Sequence, residues 1–228
     1  MEADSALIVV DVQYDFLPGG PLAVPEGDQV VPVINNLLKE KKWSFVAAGQ
    51  DYHPPGHVSF ASIHKKELFS QIDVPLPYAK DGMPTTIPQV MWPDHCVQGT
   101  HGAEIEESIL KSLKPWLESD KGLILQKGTD ISVEVYSAFG CAPGFSPDTT
   151  QLASEFRKRG ITKLFVVGLA TDYCVRATAL DARKAGFDVT VIREAVRAVG
   201  GEKATQRVEV EWKEAGVKIV GMKDVTVD

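Results

Sequence analysis

The side chains able to do chemistry in this chain gather at the ends of apolar runs. Asp11 follows "ALIVV", Asp51 and His53 follow "SFVAAGQ", Lys127 closes "GLILQK", and Cys174 stands in the turn after "KLFVVGLA". A carboxylate, a carboxylate with an imidazole, an ammonium and a thiol are thus delivered by four separate segments. If those segments are strands of an open α/β sheet, all four arrive at the carboxyl edge, where such sheets bind ligands. Cys174 sits near the start of a helix capped by Thr171 or Asp172, where free amides and the helix dipole favour a thiolate. The same amides can hold an oxyanion formed when that thiolate attacks a carbonyl. Asp11 can take the thiol proton and return it to a leaving amine. Lys127 can stabilise both anions. Each residue also has a plainer reading: Cys174 as a small buried hydrophobe, Asp11 as a loop-holding cap, and Lys127 as a solvated strand end.

A metal site is the second chemical possibility. "QDYHPPGH" holds Asp51, His53 and His57, and "WPDHC" holds His95. Asp-x-His at a strand end with a distant His95 supplies three nitrogen or oxygen ligands, suited to Zn, Fe or Mn with positions left open. His57, His64 and His101 read as bystanders, and Asp94 as a turn residue after Pro93. Cys96 and Cys141 have no helix terminus beside them and read as structural.

The elements that must position these groups are legible from periodicity. Six short, β-branched runs read as strands: Ala6 to Val12, Ser44 to Gln50, Gly122 to Lys127, Lys163 to Ala170, Asp188 to Ala195 and Val217 to Met222. Such continuous apolar runs mark strands covered on both faces. Helices are expected over Gln29 to Lys41 (Val30, Val33, Ile34, Leu37 and Leu38 on one face), Asp148 to Arg159 (Leu152 and Phe156 inward), Asp172 to Lys184, and Glu202 to Glu214. The alternation predicts a three-layer α/β/α fold with a six-stranded, mostly parallel, Rossmann-like sheet. Asp51 to His101, rich in Pro, Gly, His and Trp, reads as a long functional loop. One domain over 1–228 is the simplest organisation, with a site-lining loop region at about 51–103.

Composition narrows the partners. The 228 residues are 44% hydrophobic and 24% charged, and 31 acidic against 24 basic residues give a formal charge of −7. That balance argues against nucleic acid or an anionic membrane as the main partner. No run approaches the ~20 apolar residues that span a bilayer. The N-terminal "MEADSALIVVDVQ" is expected to carry no secretory signal, and "MKDVTVD" no lipidation tag. Three sparse cysteines suit thiols in a reducing compartment. The expectation is an intracellular, foremost cytoplasmic, protein, with nuclear or peroxisomal residence left open, as is a homo-oligomer.

The motifs "IVVDVQYDF", "DYHPPGHVSF", "MWPDHCVQGT", "LQKGTD", "VYSAFG" and "GLATDYCVRATALDA", in this order, resemble the nicotinamidase branch of the isochorismatase-like cysteine hydrolases. The resemblance covers essentially the whole chain. It implies a catalytic triad of Asp11, Lys127 and Cys174, and a divalent metal, zinc foremost with iron or manganese as alternatives, on Asp51, His53 and His95. It implies a cis peptide at Leu169–Ala170 that aims the amides of Ala170 and Cys174 at an oxyanion. Phe16, Trp92 and Tyr136 match aromatic pocket positions for a pyridine ring. His57 or Ser59 could add a ligand, at doubtful spacing. The implied reaction is hydrolysis of nicotinamide to nicotinic acid and ammonia through a thioester, in NAD salvage, with pyrazinamide also accepted. Isochorismatases proper lack the cysteine, and carbamoylsarcosine-type amidases lack the paired metal histidines; this chain has both. A metal-dependent hydrolase with a structural Cys174, and a non-catalytic binding protein, are the rival readings.

Overall fold

The computed structural model describes residues 4–40, 42–77, 79, 81–82, 84–140 and 151–225. Its strands are β1 (Ser5–Val10), β2 (Phe45–Asp51), β3 (Gln71–Pro75), β4 (Thr86–Val90), β5 (Gly122–Lys127), β6 (Lys163–Leu169), β7 (Asp188–Arg197) and β8 (Lys218–Val220). Six of these form one sheet in the order β5-β2-β1-β6-β7-β8, and every pair in it is parallel. The helices are α1 (Val30–Glu40), α2 (Ala61–His64), α3 (Glu107–Glu118), α4 (Leu152–Lys158), α5 (Arg176–Lys184) and α6 (Gly201–Glu214). Among the described residues no helix is long and apolar enough to cross a membrane.

Strand alternation makes the layers. Leu7 and Val9 of β1, Val46 and Ala48 of β2, and Val167 of β6 pack against Ile34, Leu37 and Leu38 of α1 and Ile109 and Leu113 of α3. Ala6, Ile8 and Val10, with Phe45, Ala47 and Val166, pack on the opposite face against Phe156 of α4, Ala179 and Ala182 of α5, and Val208 and Trp212 of α6. Because successive side chains point to opposite faces, fully buried runs such as "ALIVV" feed two cores at once.

Two elements depart from the sequence expectation. The region after Asp51 is not loop throughout: β3 and β4 pair as an antiparallel hairpin. Only Val74 and Gln89 of that hairpin are buried, and Pro75 and Pro88 lie within it, so it carries a weak strand signal. Helix α3, which has Pro115 inside it, was not among the expected helices. It forms because Glu106 caps the Ile109 amide and its Ile109, Ser112 and Leu113 face is buried. The helix predicted from Asp148 is described only from Leu152, and Cys141 lies outside the described residues.

Candidate active site

Four adjacent strand ends, those of β5, β2, β1 and β6, converge as the sequence reading required. The order of travel reverses here: β2 and β5 lie to one side of β1, and β6, β7 and β8 to the other. That is the switch point at which an open α/β sheet leaves a crevice.

Register sets the first pair. Asp51 is the direct partner of Lys127 across β2 and β5, so both side chains leave the sheet on one face. Lys127 Nζ lies 2.7 Å from Asp51 Oδ1 and 2.8 Å from Asp11 Oδ2. It also lies 3.5 Å from Cys174 Sγ and 3.3 Å from the Val135 carbonyl. Asp11 follows the last residue of β1 and adopts a left-handed backbone, φ 48°. A non-glycine residue there costs about 1–3 kcal/mol and is a recurrent feature of functional sites. Gly49 makes room for it: a β-carbon at Gly49 would stand 3.1 Å from Asp11 Oδ1.

The Cys174 turn differs from the simple helix start that was expected. After a cis peptide at Leu169–Ala170, Thr171–Val175 forms a π turn, with Tyr173 and Val175 amides both donating to the Ala170 carbonyl at 3.1 Å. Only from Arg176 does α5 begin. The Asp172 carboxylate accepts from the amides of Val199 and Gly200, at 2.9 Å each, and ties this turn to the start of α6.

Burial governs the electrostatics. Burial pushes the Asp11 carboxyl up to about 6, against the pull of Lys127, with Asp51 adding to the rise. Burial also opposes ionisation of Asp51, but Lys127 and then His53 outweigh it and hold Asp51 well below the usual carboxylate range. The Cys174 thiol is driven well above its ordinary value by burial; Lys127 opposes this, and Asp11 and Asp51 reinforce it. The resting cysteine is therefore a thiol, and the dipole effect expected at a helix start does not ionise it.

Beside this triad, Asp51 Oδ2 faces His53 Nε2 at 3.4 Å and His95 Nε2 at 3.8 Å. His53 Nδ1 is bonded to the Gly128 carbonyl (2.9 Å) and His95 Nδ1 to the Pro93 carbonyl (2.8 Å). Carbonyl partners require N–H at both Nδ1 positions, so Nε2 is the atom that each ring turns to Asp51. Burial opposes a charge on His53, but Asp51 and Glu134 outweigh it and raise that imidazole to about 9, so without a metal ion a proton occupies its Nε2. His53 Nε2 is fully buried without a hydrogen-bond partner, an arrangement costly unless a cation or proton completes it. The three ligand atoms lie within 4.8 Å of one another. One carboxylate and two imidazoles that would give up any Nε2 proton on binding form a donor set that fits a divalent metal ion. His53, His57 and Glu134 are also within 4.8 Å of one another. Both His57 nitrogens are engaged, however, with Ser59 Oγ at 2.8 Å and the Val133 carbonyl at 3.1 Å. Ser59 is thus turned to His57. His64 bonds the Val58 carbonyl and His101 pairs with exposed Glu104.

The aromatic residues fall into two groups. Phe16 lies 5.5 Å from the His95 ring. Trp92 donates through Nε1 to Tyr136 Oη at 3.0 Å. Tyr173 joins this second group, its ring 4.7 Å from Trp92 and 5.6 Å from Tyr136. Three contributors were not singled out from sequence. Tyr173 directly precedes Cys174 in the chain. Phe60, fully buried, stands 5.6–5.7 Å from the rings of His53, His57 and His95. Gly128 admits the His53 ring where a β-carbon would lie 2.4 Å from Cε1. Cys96 is buried, with its amide donating to Asp15 at 2.7 Å, as suits a structural residue.

Residues 5–210 match the isochorismatase domain family. The chain belongs to that family. It is 41% identical over 224 residues to the nicotinamidase of Acinetobacter baylyi, covering 97% of this chain and 94% of the relative. Among solved structures it is similar to the yeast nicotinamidase bound to the inhibitor nicotinaldehyde (TM-score 0.86, 30% identity, 95% of this chain and 99% of that one). It is also similar to the Pyrococcus horikoshii pyrazinamidase in complex with zinc (TM-score 0.69, 37% identity, 96% and 99%).

Proposed function

We propose that this chain hydrolyses nicotinamide to nicotinic acid and ammonia, as a nicotinamidase of NAD salvage that also accepts pyrazinamide. The observation that carries the reading is the placement of Lys127 Nζ within 2.8 Å of Asp11, 2.7 Å of Asp51 and 3.5 Å of Cys174 Sγ. The relatives named for that activity, and the inhibitor nicotinaldehyde on one of them, support the substrate class. The free, buried thiols of Cys96 and Cys174 suit a reducing, cytoplasmic setting.

Charge accounting explains why two acids and a lysine accompany the thiol. Ionising Cys174 into bulk solvent would add a buried anion beside two carboxylates. Passing its proton to Asp11 leaves the net charge of the cluster unchanged, and Lys127 contacts donor and acceptor alike. In this mechanism Asp11 takes the thiol proton and the thiolate forms a C–S bond to the carboxamide carbon. The amides of Ala170 and Cys174 hold the oxyanion, and ammonia leaves with the proton held by Asp11. Asp11 then removes a proton from water, which adds to the thioester and releases nicotinic acid and the thiol. Phe16, Trp92 and Tyr136 pack the pyridine ring. Asp51, His53 and His95 would hold a divalent metal, zinc foremost, and when bound it would supply Lewis-acid chemistry beside the substrate ring; the zinc-complexed pyrazinamidase supports that assignment.

The test is ammonia release from nicotinamide and pyrazinamide by the wild type and by Cys174→Ala. The wild type is expected to turn over both, and the variant to fall to background. Substantial activity in the variant would overturn the covalent mechanism; no activity in either would overturn the substrate.

A further inference from the structure

We infer that Gln13 is a positioning residue that sets the Asp51 carboxylate for metal binding, by replacing with its side chain the backbone of a strand that has left the sheet. The inference rests on the metal reading of Asp51, His53 and His95. Its origin lies in the left-handed turn at Asp11. Ladder pairing between β1 and β2 ends at Val10 and Gly49, followed by one further bond from the Asp11 amide to the Gly49 carbonyl at 3.2 Å. Beyond that point β1 no longer runs beside β2. Tyr52 donates toward β5, to the Lys127 carbonyl. In a parallel strand successive residues address opposite neighbours, so the amide and carbonyl of Asp51 face the side that β1 has vacated.

Gln13 fills that side. Its Oε1 accepts from the Asp51 amide at 2.8 Å, and its Nε2 donates to the Asp51 carbonyl at 2.7 Å. A side-chain carboxamide thereby repeats the donor–acceptor pair of a peptide unit. Nε2 also donates to the Ala103 carbonyl at 2.9 Å, and Gln13 is 0% exposed, so each amide group is engaged and the side chain has one orientation. The strand at Asp51 is held by Gln13 on one side and, through the Tyr52 amide, by β5 on the other, and the Asp51 carboxylate can then face Lys127 with one oxygen and the two imidazoles with the other. Partners that orient a metal ligand typically contribute about 10–100-fold to metal affinity.

Gln50 supplies a control. Its Nε2 donates to the same Ala103 carbonyl, at 2.8 Å, but the Asp51 amide and carbonyl are hydrogen-bonded to Gln13 and not to the Gln50 side chain. Gln13→Met and Gln50→Met, each in the full chain stripped with a chelator, are titrated with zinc chloride against a chromophoric competitor. Unfolding of the metal-free proteins is followed separately. Wild type and Gln50→Met are expected to bind zinc within twofold of each other, and Gln13→Met at least about tenfold more weakly. Wild-type affinity in Gln13→Met overturns the inference, as does equal weakening in both variants, which would assign the effect to the shared Ala103 contact. Should Gln13→Met not fold, Gln13→Glu keeps an acceptor for the Asp51 amide and loses the donor to its carbonyl; the same loss is expected, and wild-type affinity again overturns it. Failure of the wild type itself to bind zinc refutes the metal reading and is read separately from these comparisons.

Discussion

Replacing Lys127 by Met removes the one cation that Asp11 and Asp51 share, at 2.8 and 2.7 Å, in a cluster where all three side chains are 4% exposed or less. Deleting one partner of a buried pair costs about 3–5 kcal/mol, because the remaining charge is left without compensation. The cluster has an escape: one carboxylate takes up a proton. Asp51 keeps His53 beside it as a second lowering influence, whereas Asp11 already lies at about 6 with Lys127 as the cation that lowers it, so Asp11 is the group that protonates. At 2.8 Å and an effective dielectric of about 20, the Lys127–Asp11 attraction is on the order of 6 kcal/mol. Retaining only a quarter of this as a net effect raises the Asp11 carboxyl by about one unit, which leaves about half of it protonated at pH 7. A protonated Asp11 cannot accept the Cys174 proton, and loss of that base is worth about 10²–10⁴ in rate. The assay is kcat/KM for ammonia release from pH 5 to 9, with urea unfolding in parallel. The expected variant is destabilised, slower by about twofold at pH 7 and by progressively more below it as the base is lost, and recovers as pH rises. A folded Lys127→Met with the wild-type rate and pH profile would refute the reasoning.

Two further outcomes follow from the same geometry. In the wild type, Asp11 must be ionised to act as a base, and burial sets it at about 6; kcat/KM is therefore expected to be lost on the acid side as pH falls through about 6, as the joint titration of Asp11 and Cys174, and a profile flat down to pH 4.5 would exclude Asp11 as the base. Gly128→Ala places a β-carbon 2.4 Å from His53 Cε1 at a position with φ +64°; about 1–2 kcal/mol of backbone strain and a displaced imidazole should lower both stability and zinc affinity, and zinc affinity equal to wild type by competitive titration would show that Gly128 does not seat His53.

Much of the scaffold was legible because its signals are local. The runs around Leu7, Val46 and Leu164 are short and largely apolar, the run around Val191 is rich in β-branched residues, and each became a strand within a few residues of its expected bounds. The strand-end residues Asp11, Asp51, Lys127 and Cys174 were legible for the same reason, since a strand's end can be counted from its sequence. What the sequence concealed depends on contacts between distant segments. Helix α3 carries Pro115 and is stabilised by its packing on α1, which propensity alone does not reveal. The β3–β4 hairpin buries too little for a period-two pattern to show. Phe60 packs on imidazoles supplied by separate segments, and nothing in "VSFAS" marks it. The protonated state of Cys174 was hidden as well, because it follows from burial next to two carboxylates, whereas position at a helix start argued for the thiolate.

The hydrophobic cores also specify the chemistry, through register. On β2, Val46 and Ala48 belong to one core and Ala47 to the other. On β5, Ile124 packs with the first and Leu123 and Leu125 with the second. Matching these patterns pairs Ala47 with Leu123 and Ala48 with Ile124, and the same count carried to the strand ends pairs Asp51 with Lys127. Both then emerge on the face whose core contains Cys174. A slip of one residue would exchange the cores for every side chain of β5 and send Lys127 to the wrong face, so the burial that stabilises the sheet also forbids the misaligned site. Asp11 is the exception that the pattern requires. Val10 already points to the Cys174 face, so an extended Asp11 would point away from it. The left-handed turn at φ 48° and the missing side chain of Gly49 return its carboxylate to Lys127. The irregular residue is thus placed where regular strand geometry would fail to complete the triad.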